Sequence, residues 1–186
     1  VGRDQTVGSD PATVAGADFD YRIYNSDGSE SGQCLNGARC VARFIADRGL
    51  SKKDRFRLHT RTTQVGLQLL GDGRVRVDAG VPRLEPAQVP FTAPARALRY
   101  TVTMDDGAML ELGVASMGNP HAVIEVPDVE RAPVEAIGAA LQGHPAFPER
   151  VNAGFLQVVD SGHAKLRVYE RGAGGTQAWG WRGCGA

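Results

Sequence analysis

Apolar and polar residues alternate along 18–25 (Asp-Phe-Asp-Tyr-Arg-Ile-Tyr-Asn), the period of a strand with one buried face. Ser26-Asp27-Gly28-Ser29 then reads as a turn. Between 36 and 48 the apolar positions Val41, Phe44 and Ile45 fall at helical spacing, and Gly49 supplies the stop. Alternation resumes over 55–60, 64–70 and 74–78, the last two joined by a Gly-Asp-Gly hairpin turn. The Pro-rich stretch 80–90 breaks the pattern and is expected to cross between two lobes. Beyond it, 98–104, 109–116 and 122–126 read as strands, 133–143 as a short helix, and 151–159 and 164–170 as strands. A glycine loop, Arg171-Gly172-Ala173-Gly174-Gly175-Thr176, follows.

The chain echoes itself. Tyr21-Arg22-Ile23-Tyr24-Asn25 is followed by a glycine-containing loop to Cys34, nine positions after Asn25. Leu166-Arg167-Val168-Tyr169-Glu170 is followed by a glycine-containing loop to Trp179, nine positions after Glu170. Each half has a strand, a loop and then a helix start, which predicts two lobes related by a pseudo-twofold.

Composition narrows the function classes. The 186 residues suffice for one ordinary domain or two small ones. Lys plus Arg and Asp plus Glu number 21 each, so the chain is formally neutral and carries no footprint for nucleic acid or an anionic membrane. No apolar stretch approaches the roughly 20 residues that span a bilayer. Three cysteines, Cys34, Cys40 and Cys184, are too few and too scattered for a disulfide scaffold or a structural zinc site, and they suit a reducing cytoplasm. The chain opens on Val1 without Met, as a fragment would.

Three places carry candidate chemistry. Cys34 stands where a loop enters a helix, and the outward N–H groups there favour a thiolate and can hold a carboxylate. A small buried apolar side chain would suit the same position. Cys40, within the helix, is expected in the core. Asn119-Pro120-His121 follows a strand, and a His after a Pro turn can serve as a base or as an ordinary loop residue. His59, His144 and His163 lack any motif and are expected on the surface. Glu170-Arg171 pairs a carboxylate with a guanidinium suited to carboxylate recognition, or forms a strand-end salt bridge.

Together, and in this order, these segments resemble diaminopimelate epimerases. The resemblance is carried by 21–30, by Gln33-Cys34-Leu35-Asn36-Gly37-Ala38-Arg39-Cys40, by Gly118-Asn119-Pro120-His121-Ala122, by Phe147-Pro148-Glu149-Arg150-Val151-Asn152, and by Tyr169-Glu170-Arg171-Gly172-Ala173-Gly174. It implies an α+β fold of two pseudo-symmetric lobes, 1–82 and 83–186. Each is a mixed or antiparallel sheet wrapped on a central helix, with the active site in the cleft between them. It implies interconversion of LL- and meso-diaminopimelate for lysine and peptidoglycan synthesis, without pyridoxal phosphate or metal. One cysteine thiolate removes the α-proton and a second cysteine's thiol delivers a proton to the opposite face. Cys34 matches the first cysteine, and His121 and Glu170 match the cysteines' polar partners. Gln5, Asn25, Leu35, Asn36, Asn119, Asn152, Glu170, Arg171, Gly180 and Trp181 match substrate-contacting positions. A homodimer is a further implication.

The sequence departs from the pattern at four places. Trp179 stands where the second cysteine belongs, and Cys184, five positions on, matches a different cysteine of the motif. Leu35 replaces a Gly beside the substrate carboxylate and is expected to crowd it. Gly175 replaces a Glu, and Trp181-Arg182 replace small residues of the carboxylate-holding turn. Both ends are short relative to the family. These departures imply impaired epimerisation. The rival readings are a proline racemase-like or phenazine-biosynthesis-like isomerase of the same fold, and a non-catalytic amino-acid-binding remnant.

Overall fold

Two sheets form among the residues that the computed structural model describes (5–25, 28, 30–32, 34–171 and 174–176), one in each of two units, Val1–Val81 and Pro82–Ala186. In the first unit β1 (Gln5–Pro11), β2 (Phe19–Asn25), β3 (Arg55–His59), β4 (Gln64–Leu69) and β5 (Val75–Asp78) lie side by side in chain order. Neighbours are antiparallel except β2 and β3, which run parallel. A parallel pair needs a long crossover, and α1 (Leu35–Asp47) lies within it. Inward residues alternate as the sequence pattern requires: Tyr21 and Ile23, Phe56 and Leu58, Val65 and Leu67 are buried. The helix contributes Leu35, Ala38, Val41, Ala42 and Ile45 to the buried set.

The second unit repeats that device. Its sheet runs β11 (Gly174–Thr176), β10 (His163–Glu170), β9 (Asn152–Asp160), β8 (Pro120–Glu125), β7 (Met109–Ser116), β6 (Tyr100–Thr103). Only β8 and β9 are parallel, and α2 (Val134–Gly143) lies in their crossover and packs on β9, β10 and β11. Val114, Ala122, Ile124, Ala153 and Phe155 join Val134 and Leu141 of the helix in one core. Burying each Val, Leu, Ile or Phe of this core contributes about 1.5–3 kcal/mol. Both units are thus mixed sheets packed on one helix.

Most predicted elements recur within two residues of their predicted ends. The differences have physical causes. β1 lacks the strand signal, since Val7 is its one large apolar residue and Gly8 and Pro11 weaken it. It forms as an edge strand, in continuous register with β2 from Gln5↔Asn25 to Pro11↔Phe19. Cys40 is exposed, against expectation. It lies about 200° round the helix from Ala38, off the buried stripe. Phe44 is also exposed, with the Arg48 guanidinium 5.3 Å above its ring. The stretch 80–90 is not simply a crossing: Val89, with Phe91 beyond it, belongs to the second unit's core, and Phe91 meets Phe147 at 5.0 Å. Of the expected glycine loop, Gly174–Thr176 form β11 against β10.

Candidate functional site

In the first unit, Cys34 is the N-cap of α1. Its backbone is extended, and its Sγ accepts the Gly37 N–H at 3.4 Å, as an N-cap oxygen would. The sulfur therefore faces the positive end of the helix, the environment that favours thiolate over thiol. The Cys34 carbonyl accepts Ala38 N–H at 2.9 Å and starts the helix. Asn36 follows in the first turn, where its Oδ1 accepts from the Arg39 guanidinium. Leu35 is buried among the helix's inward residues, so its side chain is not presented to solvent at the helix start. Asn25 ends β2, directly opposite Gln5 in the ladder, which brings two predicted contact positions 20 residues apart onto one sheet end. Gln33, just before the cap, lies outside the described residues.

In the second unit, four predicted residues converge. His121 is not on a loop. It is the second residue of β8, buried at 4% exposure, and its register partners are Ala115 and Asn152. Ala122 and Ile124 take the core face, which leaves His121 on the other. Its Nδ1 lies 2.9 Å from the Asn119 carbonyl. A carbonyl only accepts, so Nδ1 carries the hydrogen and Nε2 is the basic nitrogen. Burial lowers the His121 pKa to about 4, the Asn119 bond opposes this, and the Arg171 charge lowers it further. The ring is neutral at pH 7.

Asn152 is buried and spans two segments. Its Nδ2 donates to the Pro120 carbonyl at 3.1 Å, and its Oδ1 accepts the Arg171 backbone N–H at 3.0 Å. The Arg171 guanidinium donates to the Glu149 carbonyl at 2.9 Å. Arg150, between these segments, takes φ 61°, a left-handed conformation rare for a side-chain-bearing residue. Glu170 closes β10, next to Arg171. The Asn119 Oδ1 is buried and meets no donor among the described residues. Trp179, Gly180, Trp181, Arg182 and Cys184 lie outside the described residues, as do Gly172 and Ala173.

The remaining histidines divide. His163 is exposed, on Asp160; His144 is half-buried, on the Thr103 carbonyl. His59 is half-buried, 3.2 Å from Asp20, not simply on the surface. Among the described residues no group of three or more His, Cys, Asp or Glu has a metal-holding arrangement, and no helix is long and apolar enough to cross a membrane.

Sequence reasoning passed over Tyr21. Its hydroxyl donates to the Cys34 carbonyl at 3.0 Å. The signal was present: Tyr21 shares the inward face of β2 with Ile23, and a buried phenol needs a partner.

The family model for diaminopimelate epimerase matches residues 2–85 and 113–184, which take in Cys34, His121, Asn152, Glu170 and position 179. The chain belongs to the diaminopimelate epimerase family. It is 53% identical to the diaminopimelate epimerase of Chromobacterium violaceum (strain ATCC 12472) over 186 residues, and 54% identical to that of Azotobacter vinelandii (strain DJ). Each alignment covers all of this chain and 67% of the relative. A crystal structure of a hydroxyproline epimerase from Agrobacterium vitis, with bound trans-4-hydroxy-L-proline, shares the fold at a TM-score of 0.68 and 15% identity. The match covers 92% of this chain and 54% of that one. A probable proline racemase from Agrobacterium radiobacter K84 matches at 0.63 and 16%, over 90% and 54%. The chain thus spans about two thirds of its curated relatives and about half of these structures. By family it is an isomerase, of the amino-acid epimerase kind.

Proposed function

We propose that this chain acts on diaminopimelate, with Cys34 as the acid–base group on one face of the α-carbon. The observation that carries the reading is the Cys34 N-cap, whose sulfur accepts the Gly37 N–H. The thiolate takes the α-hydrogen as a proton, the C–H pair remains on the α-carbon, and the new S–H returns a proton to the same position. The carbanion demands a dry site and aligned donors. His121 is buried and neutral, so its Nε2 can accept a hydrogen bond without bringing a charge. Asn25, Asn36, Asn119, Asn152, Glu170 and Arg171 are proposed to hold the substrate's carboxylate and distal amino-acid group, where paired donors and acceptors discriminate against shorter analogues.

Epimerisation needs a second proton donor on the opposite face. In the sequence, Trp179 takes the place where the family resemblance puts the second cysteine, and an indole N–H cannot exchange a proton with a carbon acid. With Trp179 there, the chain is therefore proposed to exchange without inverting. The test is meso product formed from LL-diaminopimelate, followed for the chain and for Trp179→Cys. Product from Trp179→Cys alone supports the reading. Full turnover with Trp179 in place contradicts it.

A further inference from the structure

Tyr21 is 1% exposed, and its hydroxyl gives its hydrogen to the Cys34 carbonyl at 3.0 Å. That carbonyl also accepts Ala38 N–H at 2.9 Å. Both of its lone pairs are then used, and the Cys34 peptide is held from the sheet as well as from the helix. Gly37 leaves the room for this. A methyl at 37 would land on the Tyr21 hydroxyl and press on Val7. Gly37 is also the residue whose N–H meets the Cys34 sulfur. One contact set therefore links β2, the cap peptide and the sulfur's donor.

We propose that Tyr21 is a positioning residue for Cys34, its hydroxyl fixing the cap so that the Gly37 N–H stays on the sulfur. The proposal rests on Cys34 being the acid–base group. Burial, then the negative charge that Cys34 and Cys40 carry as thiolates, push the phenol well above its usual range, so it remains a donor while the thiol titrates. The titratable groups in the first two turns of α1 are Arg39, whose guanidinium donates to Asn36, and Cys40, which is exposed. Neither of them substitutes for the phenol as donor to the Cys34 carbonyl, because Cys40 is exposed and Arg39 is engaged on Asn36.

The test is the rate of Cys34 alkylation by iodoacetamide across roughly pH 5 to 10, in a chain carrying Cys40→Ser and Cys184→Ser. Tyr21→Phe keeps the ring and removes the donor. Its pH midpoint should rise, and alkylation below the midpoint should slow by about three- to tenfold, the effect of loosening one hydrogen-bonded frame. Gly37→Ala, which displaces the phenol from the other side, should shift the profile the same way. Far-UV circular dichroism identifies the variants that remain native, and if one does not, the other's profile decides. A native variant whose profile superimposes on the parent's would overturn the proposal. Alkylation needs no substrate, so absent α-proton exchange with diaminopimelate would remove the proposed function and leave this result standing.

Discussion

Asn152 and Arg171, 19 residues apart, are joined by a side-chain oxygen accepting a backbone N–H at 3.0 Å. The other end of the same amide donates to the Pro120 carbonyl, beside His121. The start of β8, the start of β9 and the turn after β10 are therefore tied through one side chain. Asn152→Ala leaves an N–H and a carbonyl in buried surroundings without that partner. A loss of about 2 kcal/mol is expected, read as a lower urea midpoint at unchanged slope. A loss under about 0.5 kcal/mol, the scatter of surface substitutions, would mean that the clamp contributes little to stability.

Two glycines of α2 should respond oppositely to alanine. A methyl at Gly138 would land on the Tyr169 ring, whereas at Gly143 it meets nothing. Gly138→Ala should cost about 1–3 kcal/mol through overpacking. Gly143→Ala should gain up to about 0.5 kcal/mol, less than the full helix preference because it sits at the helix end. Thermal unfolding of both variants checks the sign in each case.

His121 makes stability depend on pH in a stated direction. Its pKa falls from 6.5 to about 4 on folding, chiefly by burial. Between those values the unfolded chain binds more protons, so stability rises with pH and is lost as pH falls through the window. The separation corresponds to about 3 kcal/mol. Urea unfolding from pH 4 to 7 should show this slope in the parent and a flatter one in His121→Gln. Equal slopes would contradict the burial argument.

Cys40 separates packing from chemistry. It is exposed, so Cys40→Ser should change stability by less than about 0.5 kcal/mol. It should also leave α-proton exchange unchanged. A larger loss in thermal unfolding would restore the core position expected from the sequence.

Much of this was legible in the sequence, for definable reasons. Period-two and helical patterns marked β2 and α1 because one face of each is buried. Cys34 at a loop-to-helix junction announced an N-cap, and the cap forms. β1 escaped because an edge strand takes its stability from the ladder with β2 and not from its own residues. Apolar character alone puts Cys40 in the core, whereas its angle on the helix puts it outside the buried stripe. Pro120 before His121 suggests a turn, which in the sequence puts His121 after a loop, as a base or an ordinary loop residue. Pro120 instead opens β8, a position where a missing N–H is tolerated. The convergence of His121 and Asn152 depends on the parallel β8–β9 register, which no local pattern encodes.

The central claim is that Cys34 moves the α-proton. Its direct test is α-proton exchange in deuterated water, followed by proton NMR with LL- and with meso-diaminopimelate. The chain should exchange the α-proton that faces Cys34, in one stereoisomer and not the other, without interconverting them. Cys34→Ala should lower that exchange by at least about a hundredfold, as loss of a catalytic proton carrier does. Exchange in Cys34→Ala equal to the parent's, or no exchange by the parent with either isomer, would contradict the account.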